Sequence, residues 1–157
     1  MTTKRKSFLL VSILFSLILV VLGACNPKIE KHSFVSEQEI VKTTLNFDVK
    51  GDEVVHFNQV AVMDISQMDQ KTLESIEVEC DRAEEMVTSL DGGKYSVEKE
   101  DNTLTEIIDI PLDSEEKVKE MIQSGLLMIT SKSEGEIQRI SFKESKDALL
   151  ANGWTEE

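Results

Sequence analysis

The sequence predicts a single α+β domain, in which an antiparallel β-sheet built from hairpins has two or three helices packed on it. Residues 41–50 alternate strictly between apolar and polar side chains, whereas residues 66–90 carry apolar side chains at spacings of three and four. A period of two indicates a half-buried strand, and a period near 3.6 indicates an amphipathic helix. Strands in adjacent hairpins with largely segregated helices are typical of the α+β class.

The first hairpin is predicted around the Gly51-Asp52 turn, because Gly tolerates the positive φ that a tight turn requires. In the strand before the turn, every second side chain points to the same face, and these side chains are Val41, Thr43, Leu45, Phe47 and Val49. The strand after it, residues 53–65, has apolar residues on both faces. This second strand is therefore either central and covered on both sides or interrupted by a bulge that switches faces.

A long helix is predicted next, with one apolar stripe and acidic side chains on its other faces. The stripe consists of Leu73, Ile76, Cys80, Ala83, Val87 and Leu90. Gly92 and Gly93 end the helix, since Gly suits the left-handed position after a helix. Alternation then resumes from Tyr95, and a turn near Asp101-Asn102 predicts a second hairpin.

The C-terminal third is predicted to be mainly helical. Pro111 ends the second hairpin and a short helix follows it. Residues 126–130 are a compact apolar run that fits either a strand or a continuation of that helix. Ser141 is predicted to cap a final helix, with Trp154 folding back onto it after the Asn152-Gly153 stop.

The N-terminus has the pattern of a bacterial lipoprotein precursor. Three basic residues at 4–6 precede an uncharged apolar run at 8–22, which is typical of an export signal. Small residues before a cysteine complete a lipobox, Leu22-Gly23-Ala24-Cys25. We expect the signal peptidase to recognise Leu22, Gly23 and Ala24, and the Cys25 thiol to carry a diacylglyceryl group as the first residue of the mature chain.

An uncleaved membrane anchor is the alternative for this segment, but its apolar run of 15 residues is shorter than the roughly 20 that a spanning helix needs. Both interpretations leave the remaining chain outside the cytoplasm. The expected organisation is a signal peptide at 1–24, a lipidated cysteine with a polar tether at 25–32, and one domain at 33–157.

Charge excludes some classes of partner. Removal of residues 1–24 leaves 14 basic and 30 acidic residues, a formal charge of −16. Nucleic acids and anionic headgroups both favour basic surfaces, so we expect neither nucleic-acid binding nor polybasic membrane attachment. The membrane is expected to be contacted through the lipid on Cys25. The sequence identifies no protein or small-ligand partner and no oligomeric state.

Few residues have the chemistry of a catalytic site. With Cys25 lipidated, Cys80 is left without a partner cysteine, and its place on the apolar stripe predicts a buried, inert thiol. His32 falls in the tether. His56 is placed on a strand beside Phe47 by a two-residue turn, where a hydrogen-bonded packing role is expected.

No catalytic, cofactor-binding or metal-binding residues are predicted. The sequence contains no Gly-x-Ser-x-Gly elbow, no His-Glu-x-x-His or Cys-x-x-Cys motif and no phosphate-binding loop. Asp81, Glu84 and Glu85 share about one helical turn and offer weak Ca²⁺ ligands at most, so a solvated helix face is expected there.

The chain resembles the YehR-like family of small bacterial lipoproteins, a domain family of unknown function. The resemblance covers nearly all of the mature chain and lies in the lipobox, residues 49–54 (VKGDEV), residues 71–74 (KTLE), the Tyr95 hairpin and residues 147–154 (DALLANGW). Trp154 stands where Phe is expected. The resemblance implies one α+β domain tethered outside the membrane, and it supplies no catalytic residues.

The function expected from the sequence is that of a non-enzymatic interaction or binding module displayed outside the membrane. One alternative is an accessory lipoprotein that captures a small ligand or a cation for transport or sensing. The other alternative is an envelope enzyme, for which His56 is the single candidate residue.

Overall fold

A computed structural model describes residues 28–123 and 139–157. These described residues form one antiparallel sheet of six strands in the order β4–β5–β3–β2–β1–β6, together with three helices, which confirms the α+β prediction. The elements in chain order are β1 (Ile29–Gln38), β2 (Val41–Lys50), β3 (Glu53–Asp64), α1 (Gln70–Thr88), β4 (Lys94–Glu100), β5 (Thr103–Pro111), α2 (Glu115–Gln123), α3 (Phe142–Ala151) and β6 (Thr155–Glu156). The predicted signal peptide and the apolar run at 126–130 lie outside the described residues.

The hairpin of β2 and β3 forms as predicted, with Gly51 at φ +70° in the turn. Leu45, Phe47 and Val49 are buried on the predicted face of β2. The register shifts between Asp48 and Val49, so β3 has one extra residue opposite this point. This bulge confirms one of the two alternatives left open for β3, because it moves the core-facing positions from one alternate set to the other.

The core lies on one face of the sheet. Phe34 of β1 and Phe47 of β2 pack edge to face with ring centroids 5.9 Å apart, and Phe142 of α3 lies 6.2 Å from each. Helix α2 adds Val118 and Met121, each 1% exposed. The aromatic cluster and α2 therefore cover the sheet near the turn that joins β2 to β3.

The strand β1 was not predicted, and the tether expected at 25–32 is wrong for residues 29–32. These residues pair with β2, with Ile29 opposite Lys50 and His32 opposite Phe47. Alternation along β1 points Glu30, His32, Phe34 and Ser36 toward the core face. Only one of these four is apolar, so the strand lacks the pattern by which β2 was recognised.

The turn after β2 also holds the start of α3. The Lys143 amide donates to Asp52 Oδ1 and the Ser141 hydroxyl donates to Asp52 Oδ2, both at 2.8 Å. These two donors hold the pKa of the Asp52 carboxyl below its ordinary value. Ser141 is the N-cap of α3 as predicted, and its Oγ accepts from the Glu144 amide.

Of the two helix stops predicted from glycine, the one at Asn152-Gly153 is confirmed, whereas α1 ends at Thr88 with Ser89 as its C-cap, three residues before Gly92. Gly92 has φ +80°, and a Cβ on Gly93 would lie 2.1 Å from the Val87 carbonyl oxygen. At the end of α3, Gly153 has φ +86° and the Trp154 amide donates to the Leu149 carbonyl at 3.1 Å. The Trp154 side chain packs against the core, which confirms its predicted return.

Candidate functional site

The apolar stripe of α1 is only partly used in packing. Val87, near the C-terminal end of the helix, is 0% exposed, and Leu90 just beyond the helix is 7% exposed. The preceding four stripe residues, Leu73, Ile76, Cys80 and Ala83, are all half-buried. Helix α1 is thus packed tightly at its C-terminal end, whereas the rest of its apolar face is incompletely covered.

A cleft of about 480 Å³ lies between this part of α1 and the sheet. The sheet contributes Ala61 and Met63 from β3 with Leu104 and Glu106 from β5, and α1 contributes Thr72, Ser75, Ile76, Glu79, Cys80 and Ala83. Several of these side chains are small, Ala61 and Ala83 above all, and they leave space that larger side chains would fill. The volume falls within the range of about 300–1,000 Å³ typical of small-molecule sites.

The polar residues that line the cleft are Thr72, Ser75, Glu79 and Glu106, and Tyr95 of β4 contacts the last of these. The Tyr95 hydroxyl donates to Glu106 Oε1 at 2.9 Å. Burial, followed by contact with the Cys80 thiol and the Glu106 carboxylate, raises the pKa of Tyr95 far above its ordinary value. The phenol consequently stays protonated at neutral pH and remains a donor to Glu106.

A second depression, of about 510 Å³, lies beside the turn that joins β1 to β2. Its lining includes Glu37, Glu39, Lys42 and Asp64, and the carboxylate of Glu37 pairs with Lys42 at 2.9 Å. These side chains are charged and solvent-facing, so this depression has less of the apolar character of a ligand site than the α1 cleft.

The structure separates the remaining candidate residues from the cleft. His56 lies opposite Asp48 rather than beside Phe47, because the bulge shifts the register by one residue. His56 Nε2 is 3.2 Å from Asp109 Oδ2, in a polar row that continues through Asn58 to Asn46. This row lies on the face of the sheet opposite the core and is consistent with the expected hydrogen-bonded packing role of His56.

His32 is an ordered strand residue, contrary to the prediction. Its ring centroid lies 4.2 Å from that of Phe142, and its Nδ1 is 3.2 Å from Glu156 Oε1. Lys146 Nζ contacts the other oxygen of Glu156 at 2.6 Å. These contacts join β1, α3 and β6, so His32 has a structural role at the edge of the sheet.

Cys80 lies on the predicted stripe, but the prediction that it is buried is wrong. The thiol is free and half-buried, because the cleft leaves it open on one side. Asp81, Glu84 and Glu85 are exposed, as expected for a solvated face. Within residues 28–123 and 139–157, no group of three or more His, Cys, Asp or Glu side chains is placed to hold a metal ion.

The lipobox residues Leu22, Gly23, Ala24 and Cys25 lie outside the described residues. In the part of the chain that the structure covers, no helix combines the length and hydrophobicity needed to cross a membrane. Sequence reasoning missed the cleft and Glu106 as one of its lining residues. The sequence feature that could have revealed the cleft is Glu106, a carboxylate at a position of β5 where the alternation calls for an apolar residue.

Comparison with known proteins places the chain among uncharacterised relatives. A family model described as "Protein of unknown function (DUF1307)" matches residues 30–155. The uncharacterized lipoprotein Lin0239 of Listeria innocua is 30% identical over 148 residues, which cover 92% of this chain and 93% of the relative.

Two solved structures share the fold. The NMR structure of the E. coli YehR protein matches with a TM-score of 0.63 and 17% identity, over 83% of this chain and 91% of that chain. The NMR structure of a protein from Streptococcus pneumoniae TIGR4 matches with a TM-score of 0.53 and 14% identity, over 83% and 86% of the two chains. With the family match over residues 30–155, these findings confirm the resemblance noted in the sequence, and the chain belongs to the YehR-like family of proteins of unknown function, DUF1307.

Proposed function

We propose that the chain is a lipid-anchored protein on the outer face of the membrane that binds a small amphiphilic ligand in the α1 cleft, without catalysing a reaction. The anchor is supported by the lipobox ending at Cys25 and by the name of the Listeria relative, an uncharacterised lipoprotein. The binding role rests on one observation, the apolar cleft left open between α1 and the sheet.

The chemistry of the cleft favours a ligand with an apolar chain. The apolar lining consists of Ile76, Ala83, Ala61, Met63 and Leu104, and Glu106, which accepts from the Tyr95 hydroxyl, supplies a hydrogen-bonding group. Burial of each methylene contributes about 0.8 kcal/mol, a factor of about four in affinity. We therefore expect affinity to rise with chain length until the cleft is full.

The position of the cleft suits a ligand taken from the space outside the bilayer. β1 begins at Ile29, paired with Lys50 beside the turn at residues 51–52, so the lipidated end of the chain enters the sheet there. Ala61 lies eight residues along β3 from Glu53, which at about 3.3 Å per residue is about 26 Å further along the sheet. The cleft thus opens well away from the proposed anchor.

Filling the cleft is expected to abolish binding. The protein for this test starts at residue 25 with Cys25→Ser, which is the mature polypeptide without its lipid. Monododecanoylglycerol below its critical micelle concentration should raise the melting midpoint, because a ligand at a hundredfold excess over its Kd stabilises the native state by about 2.7 kcal/mol. Ala83→Leu should remove that rise, since the added side chain occupies the cleft.

Ala148→Leu is the matched control, because Ala148 is exposed on α3 and the same change there should leave the rise intact. A rise of equal size in the Ala83→Leu and Ala148→Leu proteins would place binding elsewhere and refute the proposal. The proposal would also be refuted if the unaltered protein did not bind the ligand but bound it once the apolar residues of the 126–130 run were replaced by Ser. That result would identify the chain's own run as the occupant of the cleft.

A further inference from the structure

We propose that the α1 cleft prefers amphiphiles with a cationic headgroup and that Glu106 sets this preference. The inference rests on the proposed function, since it names the class of ligand for the same cleft. The preference is inferred from the acidic side chains that line the cleft and from the hydrogen-bond and ion-pair partners of each of them.

The described residues that line the cleft include acidic side chains and no basic ones. Within residues 28–123 and 139–157, Glu79 and Glu106 are the two charged residues of the lining, and no Lys, Arg or His lines it. The mature chain adds an acidic background with a formal charge of −16. An anionic headgroup would therefore enter a cleft of its own sign, which opposes binding.

The two carboxylates differ in how far their charge is already compensated. Arg82 Nη1 lies 2.9 and 3.0 Å from the two oxygens of Glu79, and this pair stays at the exposed rim. Lys99 is the nearby cation of β4, and its Nζ lies 3.9 Å from Glu77 on α1. Both cations therefore already have a carboxylate partner.

Glu106 has a neutral partner instead. The Glu106 carboxylate accepts a hydrogen bond from the Tyr95 hydroxyl. Among residues 28–123 and 139–157, none of the ion pairs involves Glu106. Glu106 lies opposite Ala61 of β3, on the floor of the cleft, where it is half-buried. A carboxylate in this position can accept a charge-assisted hydrogen bond from an ammonium group whose alkyl chain lies along α1.

The test compares three ligands with the same alkyl chain length and different headgroup charge. Undecylammonium, monododecanoylglycerol and dodecanoate, which share an alkyl group of eleven carbons, would be titrated calorimetrically into the mature chain with Cys25→Ser, each below its critical micelle concentration. The cation should bind tightest and the anion weakest, with at least about a tenfold difference between them, the scale of a hydrogen bond to a charged group. The difference should shrink as salt is added, because salt screens charge at a partly exposed site.

Glu106→Gln should reduce the ratio of cation to anion affinity about tenfold, because it removes the charge and retains an acceptor for the Tyr95 hydroxyl. The affinity for the neutral glyceride should change little. Glu98→Gln is the matched control, since Glu98 is exposed on β4 opposite Thr105, on the other face of the sheet, and carries the same charge.

The outcomes separate this inference from the proposed function. Equal binding of all three ligands would overturn the cation preference and leave the amphiphile site standing. A loss of preference in Glu98→Gln as large as that in Glu106→Gln would assign selectivity to the general acidic field and overturn the role of Glu106. No binding by any of the three ligands would overturn both proposals together.

Discussion

Replacing Cys25 with Ser is expected to abolish incorporation of an acyl label into the protein. The lipid is proposed to be attached through the Cys25 thiol, and lipid transfer precedes removal of the signal in this class of precursor. The variant should therefore keep residues 1–24 and migrate as the longer precursor. Cells grown with an alkyne analogue of palmitate, followed by fluorophore coupling and gel analysis, give both readouts in one experiment.

Cys80→Ser provides the matched control, because it makes the same chemical change at the other cysteine of the chain. Its labelling and mobility should equal those of the unaltered protein. Acyl label on the Cys25→Ser protein, or loss of label from the Cys80→Ser protein, would show that Cys25 is not the site of attachment.

Phe34→Ala should be the most damaging of the substitutions considered for the fold. The side chain is fully buried between Phe47 and Phe142, and it joins β1 to the core beneath α3. Truncation of a buried Phe costs about 3–5 kcal/mol through lost burial and the cavity that remains. Since a domain is stable by only about 5–15 kcal/mol, urea denaturation should show a large fall in midpoint.

Ile29→Ala tests the same strand at a position that is 59% exposed. Its effect on the free energy of unfolding should stay within about 0.5 kcal/mol, as for most surface substitutions. Equal losses in the two variants would contradict the placement of Phe34 in the core and of β1 in the sheet.

Strands with one consistently apolar face could be predicted from the sequence, and those without such a face could not. β2 was found because Leu45, Phe47 and Val49 alternate with polar residues. β1 places only Phe34 among polar side chains on its core face, and its place in the sheet depends on pairing with β2. β6 has two residues, too few for a period to show.

The cleft depends on distances between elements, which local patterns do not contain. The three-and-four spacing from Leu73 to Val87 correctly predicted α1 and the face that it turns to the sheet. It did not predict how closely the helix approaches the sheet, since this depends on the size of side chains from both elements, such as Ala61 of β3 and Ala83 of α1, which line the cleft. The expectation that Cys80 is buried was wrong for the same reason, because the stripe gives the face of the helix but not its distance from the sheet.

Likewise, the position of His56 depended on a bulge that the sequence offered only as one of two alternatives for β3. A regular two-residue hairpin would have placed His56 beside Phe47, whereas the observed register places it beside Asp48. The register of long-range pairing, rather than any local signal, decided which of the two faces His56 occupies.

The rate of alkylation of Cys80 tests the central claim, ligand binding in the α1 cleft, most directly. In the mature chain with Cys25→Ser, Cys80 is the only thiol, and it lines the cleft. Saturating monododecanoylglycerol should slow its reaction with iodoacetamide severalfold in the folded protein and leave the rate unchanged in urea. An unchanged rate in the folded protein, at ligand concentrations that raise its melting midpoint, would show that the ligand binds elsewhere and would contradict the account.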